Sequence, residues 1–387
     1  MKADNERLLE GQIRIPSGCA ISGIFNRAGK RISGERAITS IATMHDRSNG
    51  LGGGFAGYGI YPEYKDYYAF HLFYDDADAK TDCEAYLKSQ FDIENFAEIP
   101  TRHNKNIQNE PLIWRYFLKP LEHLVEESNL DEKEFVVQIV NHINGKIDGA
   151  FVFSSGKNMG VFKAVGFPED VGDFFRLEDY AGYSWTAHGR YPTNTPGWWG
   201  GAHPFSLLDY SIVHNGEISS YDANRRYIEM FGYKCNLLTD TEVITYIIDF
   251  LVRKQGLTLE ETASVVASPF WQTIEKMSDK TKKEQLSYLR RVFPELLITG
   301  PFSIILGFDG GIMALNDRLK LRSMVAAEKG DMLYLASEEC AIRVLENDLD
   351  ALWSPAGGEP VIAMLNMEGK IGESKTEGKN GEGEKCQ

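Results

Sequence analysis

The chain has 387 residues, of which 43% are hydrophobic and 25% are charged, and this composition excludes a disordered or fibrous protein. Its formal net charge of −15 repels phosphate backbones, so we expect no nucleic-acid partner. The polar first residues and the absence of a long apolar run predict neither a secretory signal nor a membrane span. Five scattered cysteines form no disulfide pattern, and we therefore expect a cytoplasmic protein.

The two ends of the chain differ in composition from its body. Residues 1–18 are polar and end in Pro16-Ser17-Gly18, after which the sequence becomes apolar at Cys19. We predict that residues 1–18 are a leader that is removed in front of Cys19. Residues 367–387 are rich in Gly, Glu and Lys and cannot offset their ordering entropy, which predicts a disordered tail. The folded unit is predicted to span residues 19–366.

Strand and helix signals alternate along this unit. Strands are predicted after Cys19 and at residues 55–61, 67–74, 184–190 and 211–214. Residues 61–180 form an insertion-like stretch to which we assign no chemistry; within it we predict a strand at 135–140 and a turn at Asn144-Gly145. The apolar spacing of residues 243–252 predicts a helix that begins at Thr239 or Asp240, and residues 302–315 predict a hairpin.

The run from Gly52 to Gly57 matches the G-x-G-x-x-G pattern of dinucleotide-binding proteins. That fingerprint requires a strand before the glycines and a helix after them, whereas the predicted order here is helix and then strand. We interpret the run as a backbone loop. The histidines and cysteines show no metal-binding spacing, so no metal is expected.

Cys19 stands where the polar leader gives way to the first predicted strand. Removal of the leader would place a thiol, with a pKa of about 8.5, and an α-amine, with a pKa of about 7.7 to 8.0, on the same residue. The amine could then act as the base for the thiol nucleophile. The alternative, favoured by this segment alone, is a small buried side chain that begins a strand.

Three further segments carry polar residues suited to binding a small molecule. Arg190 ends a predicted strand and could hold a carboxylate by two hydrogen bonds. Asn215 stands before Gly216, whose N–H is unobstructed, and the pair could stabilise an oxyanion. Asp240 opens the predicted helix. Each has an ordinary alternative, namely a surface ion pair, a turn or a helix cap, and only their joint occurrence favours a functional site.

Taken in order, these segments resemble the class II glutamine amidotransferases, which are N-terminal-nucleophile hydrolases. The length and the segments at 47–62 and 319–339 are most similar to the amidotransferase component of split, archaeal-type glutamate synthases. The matching segments are Cys19 to Phe25, Arg47 with Gly50 and Gly57, His188 to Thr193, His203-Pro204, His214 to Glu217, and Asp240 to Glu242.

The resemblance implies an α+β fold, a four-layer α-β-β-α sandwich, and a role for each matching residue. Cys19 would attack the side-chain amide of glutamine, and Asn215 with the Gly216 N–H would hold the oxyanion. Arg190 would bind the α-carboxylate and Asp240 the α-ammonium group. Residues expected to line or brace this pocket are Gly189, Thr193, His203 and Arg47.

The implied function is hydrolysis of L-glutamine to L-glutamate and ammonia, with no cofactor in this chain and with a synthase partner that accepts the ammonia. Two alternatives stay open: another amide-cleaving enzyme with the same kind of nucleophile, and a non-catalytic subunit that senses glutamine. Two positions depart from the family pattern, since Ala20 and Ser48 stand where glycine is common.

Overall fold

The computed structural model describes residues 18–192, 197–237 and 239–366. Residues 1–17 of the predicted leader, the predicted tail and Thr193 lie outside the described residues. The strands are β1 (Ala20–Asn26), β2 (Ile32–Ser33), β3 (Gly53–Tyr58), β4 (Tyr68–Tyr74), β5 (Phe91–Glu98), β6 (Leu112–Pro120), β7 (Ala150–Ser154), β8 (Met159–Ala164), β9 (Ala181–Gly182), β10 (Ser184–Gly189), β11 (Phe205–Leu207), β12 (Tyr210–Gly216), β13 (Phe302–Phe308), β14 (Gly311–Asn316), β15 (Val325–Lys329), β16 (Met332–Ala336), β17 (Ala351–Trp353) and β18 (Val361–Met364).

The helices alternate with these strands along the chain. They are α1 (Glu35–Ala42), α2 (Ala77–Gln90), α3 (Glu122–Ser128), α4 (Glu132–Lys146), α5 (Pro168–Phe174), α6 (Tyr221–Glu229), α7 (Asp240–Asp249), α8 (Leu259–Val266), α9 (Trp271–Glu275), α10 (Lys280–Val292) and α11 (Cys340–Arg343). A π-helical turn, Phe250–Lys254, continues α7. The predicted helix at 243–252 and the predicted hairpin, β13 with β14, are both confirmed.

Two sheets with antiparallel pairing form the centre of the molecule. The larger has the order β17-β15-β16-β1-β10-β3-β8 and the smaller β11-β12-β13-β14-β18. Strands β1 and β10 of the first contact β12 and β13 of the second. Successive residues point to opposite faces, so Val213 and Ile305 join the core between the sheets, whereas Ile212 and Ile304 face the helices beyond the smaller sheet.

Helices cover the outer face of each sheet. Helices α1, α5 and α11 pack on the larger sheet, and α7 packs on β11 and β12 of the smaller one, with α6 alongside it. The four layers are therefore α, β, β and α, and the predicted sandwich fold is confirmed. No helix in the described ranges is long and apolar enough to cross a membrane.

A third sheet lies within the insertion-like stretch and has the order β5-β6-β4-β7. Together with α2 and α4 it forms what we call the insertion lobe, residues 68–154. Its core residues, such as Phe70 and Tyr116, belong to the same apolar cluster as Ile212 and Ile247 of the sandwich. The lobe is thus joined to the sandwich by a shared core.

The strand predicted at residues 135–140 is wrong, as is the turn at Asn144-Gly145, because both segments lie in α4. The Asp131 carboxylate caps this helix by accepting a hydrogen bond from the Glu134 N–H. Residues 135–137, 139 and 140 are all buried. A continuous apolar run does not distinguish a buried helix from a buried strand, and in this helix tertiary packing buries more than one face.

Candidate active site

Cys19 lies at the start of β1, between β10 and β16 in the centre of the larger sheet. Its Sγ accepts a hydrogen bond from the backbone N–H of Tyr191, with an N–S distance of 3.3 Å. Its carbonyl oxygen accepts a hydrogen bond from Arg47 Nε at 3.1 Å, and Arg47 in turn pairs with Glu338 at 2.8 Å. Arg47 therefore fixes the backbone of the candidate nucleophile.

The surroundings of Cys19 favour the neutral thiol. Burial raises the pKa of Cys19 above its ordinary value, against the Tyr191 N–H and the positive charges of Arg190 and Arg322, which lower it. A thiol with a raised pKa is protonated at neutral pH and needs a base before it can attack a carbon atom. The α-amine that leader removal would create is the base predicted from the sequence.

Arg190 follows β10 and is almost fully buried, so the surface ion pair considered as its alternative is excluded. Its backbone is fixed on both sides, since its N–H donates to Gly52 O at 2.8 Å and its carbonyl accepts from Ser48 Oγ at 3.0 Å. Gly52 has φ +153°, and a Cβ there would lie 2.9 Å from Arg190 Cδ. Glycine at this position thus makes room for the arginine side chain.

Asp240 is the first residue of α7, but Thr239 is the N-cap, so the helix-cap alternative for Asp240 is wrong. The Asp240 carboxylate accepts hydrogen bonds from the Ile218 N–H and the Thr241 hydroxyl, each at 3.2 Å, and lies 3.4 Å from His214 Nδ1. Burial would raise the pKa of Asp240, but His214 and these hydrogen bonds together lower it. Asp240 is therefore a carboxylate at neutral pH, as an ammonium-binding group must be.

Asn215 and Gly216 end strand β12 and do not form a turn. Asn215 Nδ2 lies 3.3 Å from Ser337 Oγ, which also accepts the Ile21 N–H at 3.2 Å, while Asn215 Oδ1 is buried and has no hydrogen-bond partner among the described residues. A half-turn of the amide would let the Ser337 hydroxyl donate to Oδ1 and would turn the NH₂ group towards Gly18. The amide can thus present a donor beside the candidate nucleophile.

Gly216 tolerates no side chain at this place. Its φ is +149°, and a Cβ would lie 2.0 Å from the carbonyl oxygen of Pro301. Gly189, another predicted site residue, pairs with Ala20 and so lies directly beside the start of β1. Pairing of β10 with β1 therefore places Gly189 opposite the residue that follows Cys19.

His203 lies in a buried group of neutral imidazoles. Its ring centroid is 4.3 Å from that of His188, and His188 Nε2 donates to the carbonyl oxygen of His214 at 2.9 Å. Burial lowers the pKa of His188 to about 3 and that of His203 well below its usual range, and the charge of Arg190 lowers both further. These histidines are unprotonated at neutral pH and are close enough to Arg190 to respond to its charge.

Sequence reasoning missed Arg322 and Ser337. The Arg322 Nη1 atom lies 3.7 Å from the position that a Cβ on Gly18 would take, and Asn215 Oδ1 lies 4.0 Å from it. Both residues lie in the segment 319–339 noted above, but no local pattern in that segment indicated a role for either of them. Ser337 contacts Asn215 although the two residues lie 122 positions apart, so no local pattern could indicate the contact.

A buried lysine and a buried glutamate were also missed. Lys163 Nζ donates to the carbonyl oxygen of Gly200 at 2.8 Å, and Glu242 accepts from the N–H groups of Asn236 and Leu237 at 3.2 and 2.9 Å. Burial lowers the pKa of Lys163 to about 7 and raises the pKa of Glu242 to about 7. Through these hydrogen bonds Lys163 holds the loop that leads to His203, and Glu242 holds the loop that leads to Asp240.

A family model described as the class-II glutamine amidotransferases matches residues 75–366, which is most of the chain. The chain belongs to the class II glutamine amidotransferases. The matched residues of this amidotransferase include Arg190, Asn215 and Asp240 but begin after Cys19 and Arg47. No group of three or more metal-binding side chains lies together in the parts of the amidotransferase that the structure describes.

Several individual proteins are similar to the chain. An uncharacterised protein of Archaeoglobus fulgidus is 51% identical over 355 residues, which cover 91% of the chain and 93% of that protein. An amidophosphoribosyltransferase of Methanocaldococcus jannaschii is 25% identical over 57% of the chain and 42% of its own length. A putative glutamine amidotransferase of Methanothermobacter thermautotrophicus is 28% identical over 51% of the chain and 56% of its own length. The chain thus spans about half of these two named relatives.

Among solved structures, the glutamine phosphoribosylpyrophosphate amidotransferase from B. subtilis is similar with a TM-score of 0.44 and 13% sequence identity. The match covers 89% of the present chain and 47% of that one.

Proposed function

We propose that the chain hydrolyses L-glutamine to L-glutamate and ammonia, with Cys19 as the nucleophile. The observation that supports this most is the position of the thiol beside the buried Arg190: Cys19 Sγ accepts a hydrogen bond from the N–H of Tyr191, the next residue, at 3.3 Å. The charges of Arg190 and Asp240 both act on the same thiol, the first lowering and the second raising its pKa. Glutamine carries an α-carboxylate and an α-ammonium group. A site with one group of each sign binds such a molecule in a single orientation, with the side chain directed away from both.

In the proposed reaction Cys19 Sγ forms a bond to the side-chain carbonyl carbon of glutamine, and the thiol proton passes to the α-amine of Cys19. The carbonyl oxygen becomes an oxyanion, which Asn215 Nδ2 and the Gly216 N–H stabilise. The carbon–nitrogen bond then breaks, the leaving group takes the proton back from the ammonium, and ammonia departs. Water hydrolyses the remaining thioester to glutamate and restores the thiol. These steps require no cofactor.

The surroundings of Gly18 support removal of the leader by the same thiol. Gly18 has φ +82°, and a Cβ there would lie 3.6 Å from Arg47 Nη2 and 4.0 Å from Asn215 Oδ1. The peptide bond to be cleaved thus begins beside the amide proposed to stabilise an oxyanion. Attack of Cys19 Sγ on the Gly18 carbonyl carbon would break the Gly18–Cys19 peptide bond, leaving the leader on sulfur as a thioester and freeing the α-amine, which takes up the thiol proton. Water would then hydrolyse the thioester, releasing the leader as a carboxylic acid and restoring the thiol.

We also propose that the ammonia passes to a separate synthase subunit, and that this partner belongs to a glutamate synthase. Support comes from the segments at 47–62 and 319–339, which resemble the amidotransferase component of split glutamate synthases. The named relatives extend well beyond the segment they share with this chain, so in those proteins the amidotransferase segment is accompanied by further chain.

The decisive experiment measures ammonia and glutamate released from glutamine by the purified protein, with and without the synthase subunit, beside its intact mass. We expect equal amounts of both products and a mass that corresponds to a chain beginning at Cys19. Cleavage of a different amide in place of glutamine would favour the broader amidohydrolase. Glutamine binding without ammonia release, even with the synthase subunit present, would favour the sensor. Full activity of a chain that still carries its leader would exclude the α-amine as the base.

A further inference from the structure

An exposed surface of arginine, aromatic and leucine side chains lies close to the candidate nucleophile. It combines the loop at 317–322 with the segment before α9 and the end of α10. Its most exposed apolar residues are Leu319 and Leu321, at 60% and 56%, followed by Phe270 and Trp271 at 41% and 39%. We call it the leucine–arginine surface and define it by Phe270, Trp271, Arg290, Arg318, Leu319 and Leu321.

A buried carboxylate holds the two leucines in their exposed positions. Asp317 is 3% exposed and accepts hydrogen bonds from the backbone N–H groups of Leu319 at 2.9 Å and Leu321 at 2.8 Å. It also accepts from the N–H groups of Phe302 and Arg322, each at 3.4 Å. The loop is thus pre-organised, and a partner that binds the leucines would lose little conformational entropy in ordering it.

Arginine side chains cover the aromatic rings of this surface. The Arg318 guanidinium lies 4.3 Å from the ring centroid of Phe270, and that of Arg290 lies 4.5 Å from Trp271. Neither arginine, nor the neighbouring Arg291, forms an ion pair with any acidic side chain that the structure describes. In a chain with a net charge of −15, this is a locally basic surface. Arginine and tryptophan are the residues most enriched at the centres of protein interfaces.

The surface is continuous with the mouth of the site. Arg322 closes the same loop as Leu319 and Leu321, and its Nη1 atom lies 3.7 Å from the Cβ position of Gly18. Ammonia released at Cys19 becomes ammonium in bulk water and then lacks the lone pair needed to attack an acceptor. An acceptor subunit that seals this side of the site would exclude the water.

We propose that the leucine–arginine surface docks the ammonia-accepting synthase subunit, through an apolar recess that receives Leu319 and Leu321 and an acidic rim that faces Arg290 and Arg318. This inference rests on the proposed function. A partner with unpaired carboxylates would complement the arginines, and the pre-organised leucines would supply the central contact.

The test measures binding of the purified glutamate synthase subunit from the same organism to the amidotransferase by sedimentation velocity and titration calorimetry. We expect the double variant Leu319→Asp/Leu321→Asp to bind at least about 30-fold more weakly, as loss of central interface residues does. Met230→Asp is the matched control, since Met230 is 77% exposed elsewhere on the surface and should be replaceable without effect. Thermal melts and glutaminase rates of the free subunits should equal those of the wild type.

Charge is tested separately from the leucines. Wild-type binding should weaken as sodium chloride rises, and Arg290→Glu/Arg318→Glu should bind weakly with little dependence on salt. Equal binding by wild type and both double variants, or no binding of the synthase subunit by wild type, would overturn the docking surface. Self-association that is lost in the leucine variant would assign the surface to a second copy. Because binding is measured without turnover, failure of wild type to hydrolyse glutamine would count against the proposed function alone.

Discussion

The end of the sandwich that carries Cys19 and the insertion lobe differ in whether their buried polar atoms have hydrogen-bond partners. Around Cys19, side-chain atoms of His188, His203, His214 and Asn215 are buried without a hydrogen-bond partner among the described residues. In the lobe, residues 68–154, Arg115 Nε is the one such atom that the structure describes. The lobe instead joins its buried hydroxyl groups in chains, as from Tyr74 to Tyr116 and on to Glu84.

We infer from this difference that the residues around Cys19 serve the proposed chemistry and that the lobe serves stability. A buried polar atom without a partner costs about 1 to 3 kcal/mol, so a fold retains several together only where something else compensates for the cost. We infer that substrate supplies the missing partners at the nucleophile end. Substitutions there should change turnover more than the free energy of unfolding, whereas substitutions in the lobe should do the reverse.

Replacing Cys19, the proposed nucleophile, should have the largest effect on turnover. We expect Cys19→Ala to reduce glutamine hydrolysis by at least about 10⁴-fold, because the covalent route is lost, and to retain the leader. The melting temperature should not fall. Intact mass, ammonia release and thermal melts measure the three outcomes, with Cys386→Ala as the control. Ammonia release by Cys19→Ala within tenfold of the wild-type rate would exclude Cys19 as the nucleophile.

The amide at the end of β12 should have the next largest effect. Asn215→Ala removes a donor needed mainly in the transition state, so kcat should fall by about 10²- to 10³-fold with little change in KM. Ser337→Ala, which leaves the amide in place but removes its hydroxyl partner, should have a smaller effect. Steady-state kinetics and melts of both variants decide this. A normal kcat in well-folded Asn215→Ala protein would show that the amide has only a structural part.

Arg190 should control affinity for glutamine. Arg190→Lys keeps the charge but loses the two-pronged contact, so we expect KM to rise by about 10- to 100-fold. Arg253→Lys is a matched control, because Arg253 binds Asp249 through two contacts of 2.7 Å at the end of α7 opposite Asp240. That control should lower stability and leave KM unchanged. An unchanged KM in Arg190→Lys would exclude the carboxylate-binding role.

Much of the site could be predicted from the sequence because its chemistry is local. Arg190, Asn215 with Gly216, and Asp240 each lie at an element end that the alternation of apolar residues made visible. The order of these segments then indicated the family and, through it, the sandwich. Only the combination was informative, since each segment alone had an ordinary structural explanation.

The rest depended on contacts between distant parts of the chain. Ser337 binds the Ile21 N–H across 316 positions and reaches Asn215 from the neighbouring strand β16, and no local pattern predicts such a contact. Helix α4 was mistaken for a strand because nearly all of its apolar residues are buried, which removes the one-sided pattern that marks a surface helix. Roles that arise from packing were therefore harder to predict than roles that arise from residue type.

The buried glutamate at the edge of the site should make stability depend on pH. Glu242 has a pKa of about 7 in the folded chain, raised by burial from the usual 4.5 of the unfolded chain. Because the pKa of Glu242 is higher in the folded chain than in the unfolded chain, its contribution to stability is fully present below the unfolded-chain pKa. That contribution is lost as the pH rises through the folded-chain pKa. The free energy of unfolding of the wild type should therefore fall, relative to Glu242→Gln, by about 2 to 3 kcal/mol between pH 4.5 and pH 8.

Denaturant unfolding of both proteins across this range measures the difference. Glu260→Gln, at an exposed position on the first turn of α8, is the control for the loss of one surface carboxylate. Parallel curves for wild type and Glu242→Gln would show that Glu242 ionises normally and is not part of the desolvated region beside the site.

The smallest effect is expected in the insertion lobe. Asn144 in α4 accepts the Val152 N–H at 2.7 Å and donates to the Val152 carbonyl at 3.1 Å, so one side chain ties the helix to β7. Asn144→Ala leaves both backbone groups without this partner and should lower the free energy of unfolding by about 1 to 2 kcal/mol. Asn141→Ala, one turn earlier in the same helix, should cost less, since Asn141 makes no comparable pair of bonds with the described residues.

Neither substitution should change kcat or KM if the lobe serves stability alone. The cleft beside Asn144 also contains Asn236 and Leu237, which lie shortly before Asp240 in the chain. Their N–H groups donate hydrogen bonds to Glu242. A movement of α4 could therefore reach Asp240, the carboxylate proposed to bind the ammonium group, through that loop. Denaturant unfolding and glutaminase kinetics on the same preparations separate the two outcomes. A raised KM in Asn144→Ala but not in Asn141→Ala would show that the lobe positions Asp240, and the division between a chemical and a structural region would then fail at this cleft.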